Sequence, residues 1–259
     1  MLLENRIGIV SGIGPGMGRD IALAFAREGA HVVLAARTAA ALESVAAEVR
    51  ALGRRALCVP TDIARPEDCR RLAAAAHAEF GRLDVLVNNA FVSGRYDPVE
   101  SASMDDWRTV FDVNLFGSIQ LAQAVIPSMK AQGGGSIVMV NSMSLRIIEP
   151  RFGGYAASKG ALMTATQTLA REVGAYHIRV NSVVPGYIWS PKLEAYFRQL
   201  AQQRGTTFEA VRDEIASRTA LGHIPDPAEI ADAVVFFASD LSRVITGQAL
   251  DVNGGHYFH

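Results

Sequence analysis

The 259-residue chain, 49% apolar and 20% charged, has the profile of a globular protein able to bury a sizeable core. Its formal net charge of −1, with no charged block, speaks against a nucleic-acid partner or an interaction tail. Cys58 and Cys69 have no metal-ligand spacing and make no disulfide framework, residues 1–6 lack a signal-peptide core, and no apolar run reaches membrane-spanning length; no metal, no membrane partner and a cytoplasmic location are therefore expected.

In chain order, a continuous apolar run over residues 6–11 reads as the first strand. It ends in Ser11-Gly12-Ile13-Gly14-Pro15-Gly16-Met17-Gly18, and a helix pattern follows over 18–28. Glycines at such a turn let the backbone approach a pyrophosphate, and the helix N-terminus adds unpaired N–H groups. The spacing is G-x-x-x-G-x-G on Gly12, Gly16 and Gly18; Gly14 is extra, and Met17 stands where the commoner G-x-G-x-x-G would end. A second strand over 31–35 runs into Ala36-Arg37-Thr38. Ala36 occupies the place of the acid that would bind a ribose 2′-hydroxyl, and Arg37, with Thr38 beside it, suits a 2′-phosphate. This favours NADP(H), with NAD(H) the alternative if Arg37 only stacks on adenine or meets solvent.

A helix over 39–52, a strand over 55–60, a helix over 67–80 and a strand over 85–88 come next, with Gly29, Gly53 and Gly81 closing three helices. A long helix is expected over 104–132, capped by Ser103 with Asp106. Asn114 interrupts its apolar stretch, as an amide satisfied in the core or as a kink. A strand over 136–141 delivers Ser142 at its C-terminal end, where doubly wound sheets bind ligands. Tyr155 then opens a helix over 155–176 and shares one face with Lys159 at i,i+4. A phenol titrates near about 10, and a neighbouring ammonium lowers that value, so Tyr155 is a candidate acid/base. A strand over 179–184, a helix over 227–239 opened by Asp226-Pro227-Ala228-Glu229, and a strand over 249–252 complete the pattern. Residues 189–223 carry their own helical pattern and several aromatics, and read as a lid. The alternation predicts a single-domain α/β doubly wound Rossmann fold: a seven-stranded parallel sheet with helices on both faces and a small lid insertion.

Together these residues resemble the short-chain dehydrogenase/reductase family over essentially the whole chain. Gly12, Gly16 and Gly18 match its glycine motif, Asp62-Ile63 its Asp-Val element, and Asn88-Asn89-Ala90 its N-N-A-G motif with Phe91 replacing the last glycine. Pro185-Gly186 matches its P-G motif, Ser190 stands where it often has threonine, and Asn114, Ser142, Tyr155 and Lys159 fall at the spacing of its catalytic set. The resemblance implies an NAD(P)(H)-dependent short-chain alcohol dehydrogenase or carbonyl reductase acting on a secondary alcohol or ketone. By it, Tyr155 is the general acid/base, Ser142 orients the substrate oxygen, Lys159 binds the nicotinamide ribose and lowers the Tyr155 pKa, and Asn114 holds a water in a proton relay. Asn88, Ala90 and residues 12–18 line the cofactor, Ile188 meets the carboxamide through its backbone, and Ser190 touches it. A catalytically silent dinucleotide-binding sensor or structural subunit would have lost Tyr155, Lys159 or Ser142. Enoyl-reductase relatives space tyrosine and lysine more widely.

The resemblance places the substrate among residues 143–152, 187–189 and 191–223. These offer Ser144, Leu145, Ile147, Ile148, Phe152, Tyr187, Trp189, Tyr196 and Phe197, an apolar, aromatic-lined set. Hydrophobic secondary alcohols, steroid-like ketones and 3-oxoacyl thioesters all fit. Phe91, too bulky to copy a glycine conformation, either reaches toward the substrate mouth or packs under the turn. Arg146 and Arg151 either hold an anionic tail or, as the ordinary reading has it, are solvated loop residues. A homotetramer is implied, through the helices over 104–132 and 155–176 and through the C-terminal strand region. The aromatic tail over 256–259 either reaches a neighbouring subunit or frays.

Overall fold

The computed structural model describes residues 1–258, so His259 of the aromatic tail lies outside the described residues. Seven parallel strands form one sheet in the order β3-β2-β1-β4-β5-β6-β7. They are β1 (Ile7–Ser11), β2 (His31–Ala36), β3 (Ala56–Pro60), β4 (Val85–Asn88), β5 (Gly135–Val140), β6 (Ile178–Pro185) and β7 (Ala249–Val252). The predicted strands agree to within a residue or so at each end. Between them run α1 (Met17–Arg27), α2 (Ala39–Ala51), α3 (Pro66–Phe80), α4 (Met104–Phe111), α5 (Ser118–Ala131), α6 (Gly153–Val173), α7 (Pro191–Arg204), α8 (Phe208–Ser217) and α9 (Pro227–Ala238).

The strands are apolar at consecutive positions because both faces are covered. Side chains alternate across a strand, so each strand feeds two cores. Val10, Val32, Leu34, Val87 and Val138 join α1, α2 and α9 on one face. Ile9, Val33, Leu86, Ile137 and Met139 join α3, α5 and α6 on the other. Strand order reverses between β1 and β4, whose ends are in register at Ser11 and Asn88. Ligands of doubly wound sheets bind at such a switch point, beyond the strand C-termini.

Helix ends follow the sequence cues, with two differences. Gly29, Gly53 and Gly81 do end α1, α2 and α3, each with positive φ. Asp226 and Glu229 form both halves of a capping box on α9. Ser103 caps α4 by accepting from Asp106 N at 3.3 Å, but the Asp106 carboxylate turns away to accept from Arg95 N at 2.9 Å. The helix expected over 104–132 is not regular, because a π-helical turn, Asp112–Gly117, separates α4 from α5. The continuous run Met104–Ala131 does reach membrane-spanning length and hydropathy, contrary to the expectation that no apolar run would. Length and composition alone suit a core helix equally well, and here it packs on α3 and α6.

The segment after β6 folds as α7 and α8 around Phe197, Ala201, Val211 and Ile215. Ser190 caps α7 and Thr207 caps α8. The segment returns beside the C-terminal tail, where Leu221 N donates to Gly254 O at 3.0 Å and Ala220 N to Gly255 O at 3.3 Å.

Candidate active site

The glycine turn sits at the C-terminal ends of β1 and β4, held there by close backbone approach. A Cβ on Gly12 would lie 2.5 Å from Ala90 N, and one on Gly18 would lie 2.3 Å from Gly12 O. Ala90 thus stands against the turn. Asn89 latches it, its Nδ2 donating to Gly12 O at 3.0 Å and its backbone N to Ser11 Oγ at 3.2 Å. Asn88 faces inward instead: its Nδ2 donates to Ser118 O at 3.1 Å and reaches Met139 Sδ at 3.2 Å. These two asparagines shape the cofactor side of the sheet from behind.

Gly16 is the N-cap of α1 at φ 107°, ψ −143°, a conformation open only to glycine, and no side chain caps the helix. A Cβ on Gly14 or Gly16 would meet nothing within 4 Å. The first-turn N–H groups therefore face an open cradle, which fits the pyrophosphate of a dinucleotide. Met17, the first residue of α1, packs against the core beneath. Arg37 and Thr38 are exposed at the end of β2, and Thr38, the N-cap of α2, makes no side-chain cap. Among the described residues, Arg37 has no ion-pair partner. The half-buried Asp62 accepts from Ala64 N at 3.1 Å, and Ile63 is buried where a Cβ on Gly117 would press on it. Pro185 ends β6 beside Val252, Gly186 lies close under Asn253 and Met143 Sδ, and Ile188 packs on the core layer. The Ser190 hydroxyl accepts from Leu193 N at 3.2 Å, so the cap on α7 uses its acceptor side and leaves its proton to donate.

Ser142, Tyr155 and Lys159 come together behind this turn. Ser142 follows β5 in extended conformation, accepts from Ser144 N at 3.2 Å and lies near enough to the Tyr155 phenol to lower its pKa. Tyr155 lies in the first turn of α6, 9% exposed. Gly153 and Gly154 precede it because Trp107 covers the helix start; a Cβ on either would lie within about 3.1 Å of the indole. Lys159 is 2% exposed, and its Nζ donates to Val140 O at 2.8 Å and lies 5.7 Å from the Tyr155 ring centroid. Burial pushes the Tyr155 phenol up to about 12, with Ser142 pulling it partly back. This corrects the expected lowering by the lysine. Desolvation of the phenolate is the largest cause and Lys159 contributes no lowering, while burial also pushes Lys159 itself down to about 7, weakening its charge near neutrality.

Asn114 lies in the π-helical turn, fully buried. Its Oδ1 accepts from Val92 N, and its Nδ2 donates to Val92 O, each at 2.9 Å. The same Nδ2 donates to Ser158 Oγ at 3.0 Å, and that hydroxyl donates to Tyr155 O at 2.7 Å. The amide is thus both a kink and satisfied in the core, joining the loop after β4 to α6. The expected water would fall to the Asn114 backbone carbonyl, which already accepts from Ser118 Oγ at 3.0 Å.

Aromatic rings enclose Tyr155. Phe152 stacks on it at 4.5 Å and 22°, Tyr96 stacks on Phe152 at 5.0 Å and 2°, and Phe91 meets Tyr155 edge-on at 6.1 Å. Phe91 therefore reaches the mouth rather than packing under the turn. Tyr96 was missed because residues 91–98 carry no helix or strand period; an aromatic just beyond the N-N-A motif was the available signal. Arg146 is neither solvated nor free for an anionic tail, since it pairs with Asp251 at 3.4 Å with both side chains largely buried. Arg151 is exposed, and its Nε donates to Tyr96 O at 3.1 Å. Ser144 is buried with its Oγ unpartnered, Leu145 is half-buried and Ile148 is exposed. Tyr187 lies between Phe197 and His256. Trp189 is drawn into the α7–α8 cluster, against Phe197 and Phe208.

Residues 12–257 match the family model described as Enoyl-(Acyl carrier protein) reductase. The chain is 33% identical over 255 residues to the 3-oxoacyl-[acyl-carrier-protein] reductase FabG of Thermotoga maritima, covering 98% of this chain and 99% of that protein. It superposes on L-sorbose reductase from Gluconobacter frateurii, complexed with NADPH and L-sorbose, at a TM-score of 0.92 and 30% identity, covering 99% and 98% of the two chains. It superposes on NAD+-bound xylitol dehydrogenase at 0.91 and 29%, covering 98% and 100%. None of these three carries an enoyl name. Agreement of sequence and backbone across nearly the full length has one reading: the chain belongs to the short-chain dehydrogenase/reductase family and is an oxidoreductase of its alcohol dehydrogenase and carbonyl reductase kind.

Proposed function

We propose that this oxidoreductase interconverts a hydrophobic secondary alcohol and its ketone, with NADP(H) preferred over NAD(H). The observation that carries the reading is Ser142 beside the phenol of Tyr155, with Lys159 buried on the same helix face, its Nζ 5.7 Å from the Tyr155 ring centroid. When bound, a reduced nicotinamide supplies a hydride to the carbonyl carbon and is left oxidised. Tyr155 donates its proton to the carbonyl oxygen, giving the alcohol, and Ser142 holds that oxygen in line. Tyr155 then regains a proton from the Lys159 side. In the oxidative direction Tyr155 accepts the alcohol proton.

The cradle of residues 12–18 would hold the pyrophosphate, and Asp62 and Ile63 the adenine side. Ala90, Ile188 and Ser190 would border the nicotinamide, with Asn88 supporting the end of β4 from behind and Asn114 keeping the loop after β4 against α6. Preference for NADP(H) rests on Arg37, exposed where NAD enzymes place an acid. Related structures hold NADPH in one case and NAD+ in the other, so Arg37 is the local evidence. The segment α7–α8 is read as the lid. A homo-oligomer through Met104–Ala131 belongs to the same reading, supported by the exposed Met104 and Phe116 on that run.

Tyr155→Phe tests the assignment. It should cut turnover by about a thousandfold, the scale of a lost general acid/base, while cofactor affinity measured by fluorescence stays within about twofold. Turnover equal to that of the unaltered protein would overturn it.

A further inference from the structure

The rings around Tyr155 point to a narrower substrate class. Tyr155, Phe152 and Tyr96 form a ladder of near-parallel rings, at 4.5 and 5.0 Å, running outward from the acid/base. Exposure rises along it from 9% at Tyr155 to 59% at Tyr96, and Phe91 on the other flank is 52% exposed. Core aromatics are enclosed by neighbours, whereas these open into solvent at the mouth of the site. Exposed apolar patches in such a position mark a ligand surface. Phe152 is sandwiched between Tyr155 and Tyr96, so the ring faces left open to the substituents of a ketone at Tyr155 are those of Tyr96 and Phe91. A flat substituent covers those faces, while a flexible chain or a polyol covers them poorly. The nearby Arg146 is committed to Asp251, so it does not recruit an anionic tail.

We propose that the site selects ketones and alcohols whose reacting carbon is attached to, or fused into, a planar ring system, with Tyr96 and Phe91 as the specificity-determining residues and Phe152 as the ring that positions Tyr96. This rests on the alcohol/ketone reading above. The reaction is unchanged: the ketone gains a hydride from NAD(P)H at carbon and a proton from Tyr155 at oxygen.

The test compares kcat/KM for acetophenone with that for 2-octanone, a flexible ketone of equal carbon number, and for a ketose. The aryl ketone should be favoured by at least about tenfold, the scale of one or two ring contacts. Tyr96→Ala and Phe152→Leu should each shrink that ratio by about threefold or more, and fluorescence titration of cofactor shows that each variant is folded. Acetophenone binding to the protein loaded with NADP+, which cannot reduce it, gives the same comparison without turnover. A ratio at or below one overturns the inference and leaves the oxidoreductase reading intact. A ratio insensitive to both substitutions also overturns it. Loss of activity on every ketone and alcohol, with cofactor bound, overturns both.

Discussion

Lys159 is held at a cost to the fold. Its ammonium, 2% exposed, donates to the Val140 carbonyl, and burial lowers its pKa from an ordinary 10.5 to about 7. From about pH 7 to 10.5 the folded protein therefore binds fewer protons at this site than the unfolded chain. Stability then rises with pH through that window, and the full penalty is present below it. Tyr155 acts oppositely between 10 and about 12, where its raised pKa makes the folded state the more protonated one. Lys159→Met should stabilise the protein by about 2 kcal/mol at pH 7, lose that advantage toward pH 10, and abolish turnover. Urea unfolding at several pH values measures this; a variant less stable than its parent at pH 7 would sink the account. Arg37 poses a separate question, since nothing in the fold needs its charge. Arg37→Asp should move preference from NADPH to NADH by at least about tenfold, about 1.4 kcal/mol, in titrations at matched salt. Unchanged preference would mean that Arg37 does not read the 2′-phosphate.

Elements built from local patterns were legible in the chain, and those shaped by distant demands were not. The strands showed as short Val- and Ile-rich runs because both faces are buried, and Asp226-Pro227-Ala228-Glu229 announced α9 through backbone chemistry alone. The π-helical turn at Asp112–Gly117 had no such mark. It exists where Asn114 must reach both Val92 and Ser158, and where Gly117 must pass Ile63 closely. All three partners are remote in sequence. The acid/base pair was legible from spacing, but its electrostatics were not, since the opposite shifts of Tyr155 and Lys159 come from burial that no i,i+4 pattern encodes. For the same reason Arg146 looked like a solvated loop residue until its partner on β7 was visible.

At the scale of the whole molecule, the site gathers what the sheet delivers at one edge. Ser11, Asn88 and Ser142 leave the C-terminal ends of β1, β4 and β5, which are neighbours in the strand order. Tyr155 and Lys159 return to them on α6. The chain's last segment also comes back to this side, where Gly254 and Gly255 accept from Leu221 and Ala220 at the end of the α7–α8 insertion. Those two bonds tie the end of the insertion to the tail, so on the lid reading proposed above the amide protons of Ala220 and Leu221 report on its release. In deuterated solvent the two should report one shared opening free energy, and removal of residues 253 onward should lower it for both together. Unrelated opening free energies would show that the strap and the insertion move independently. At high pH, where each opening leads to exchange, the shared rate is the opening rate itself, which product release through that opening cannot exceed.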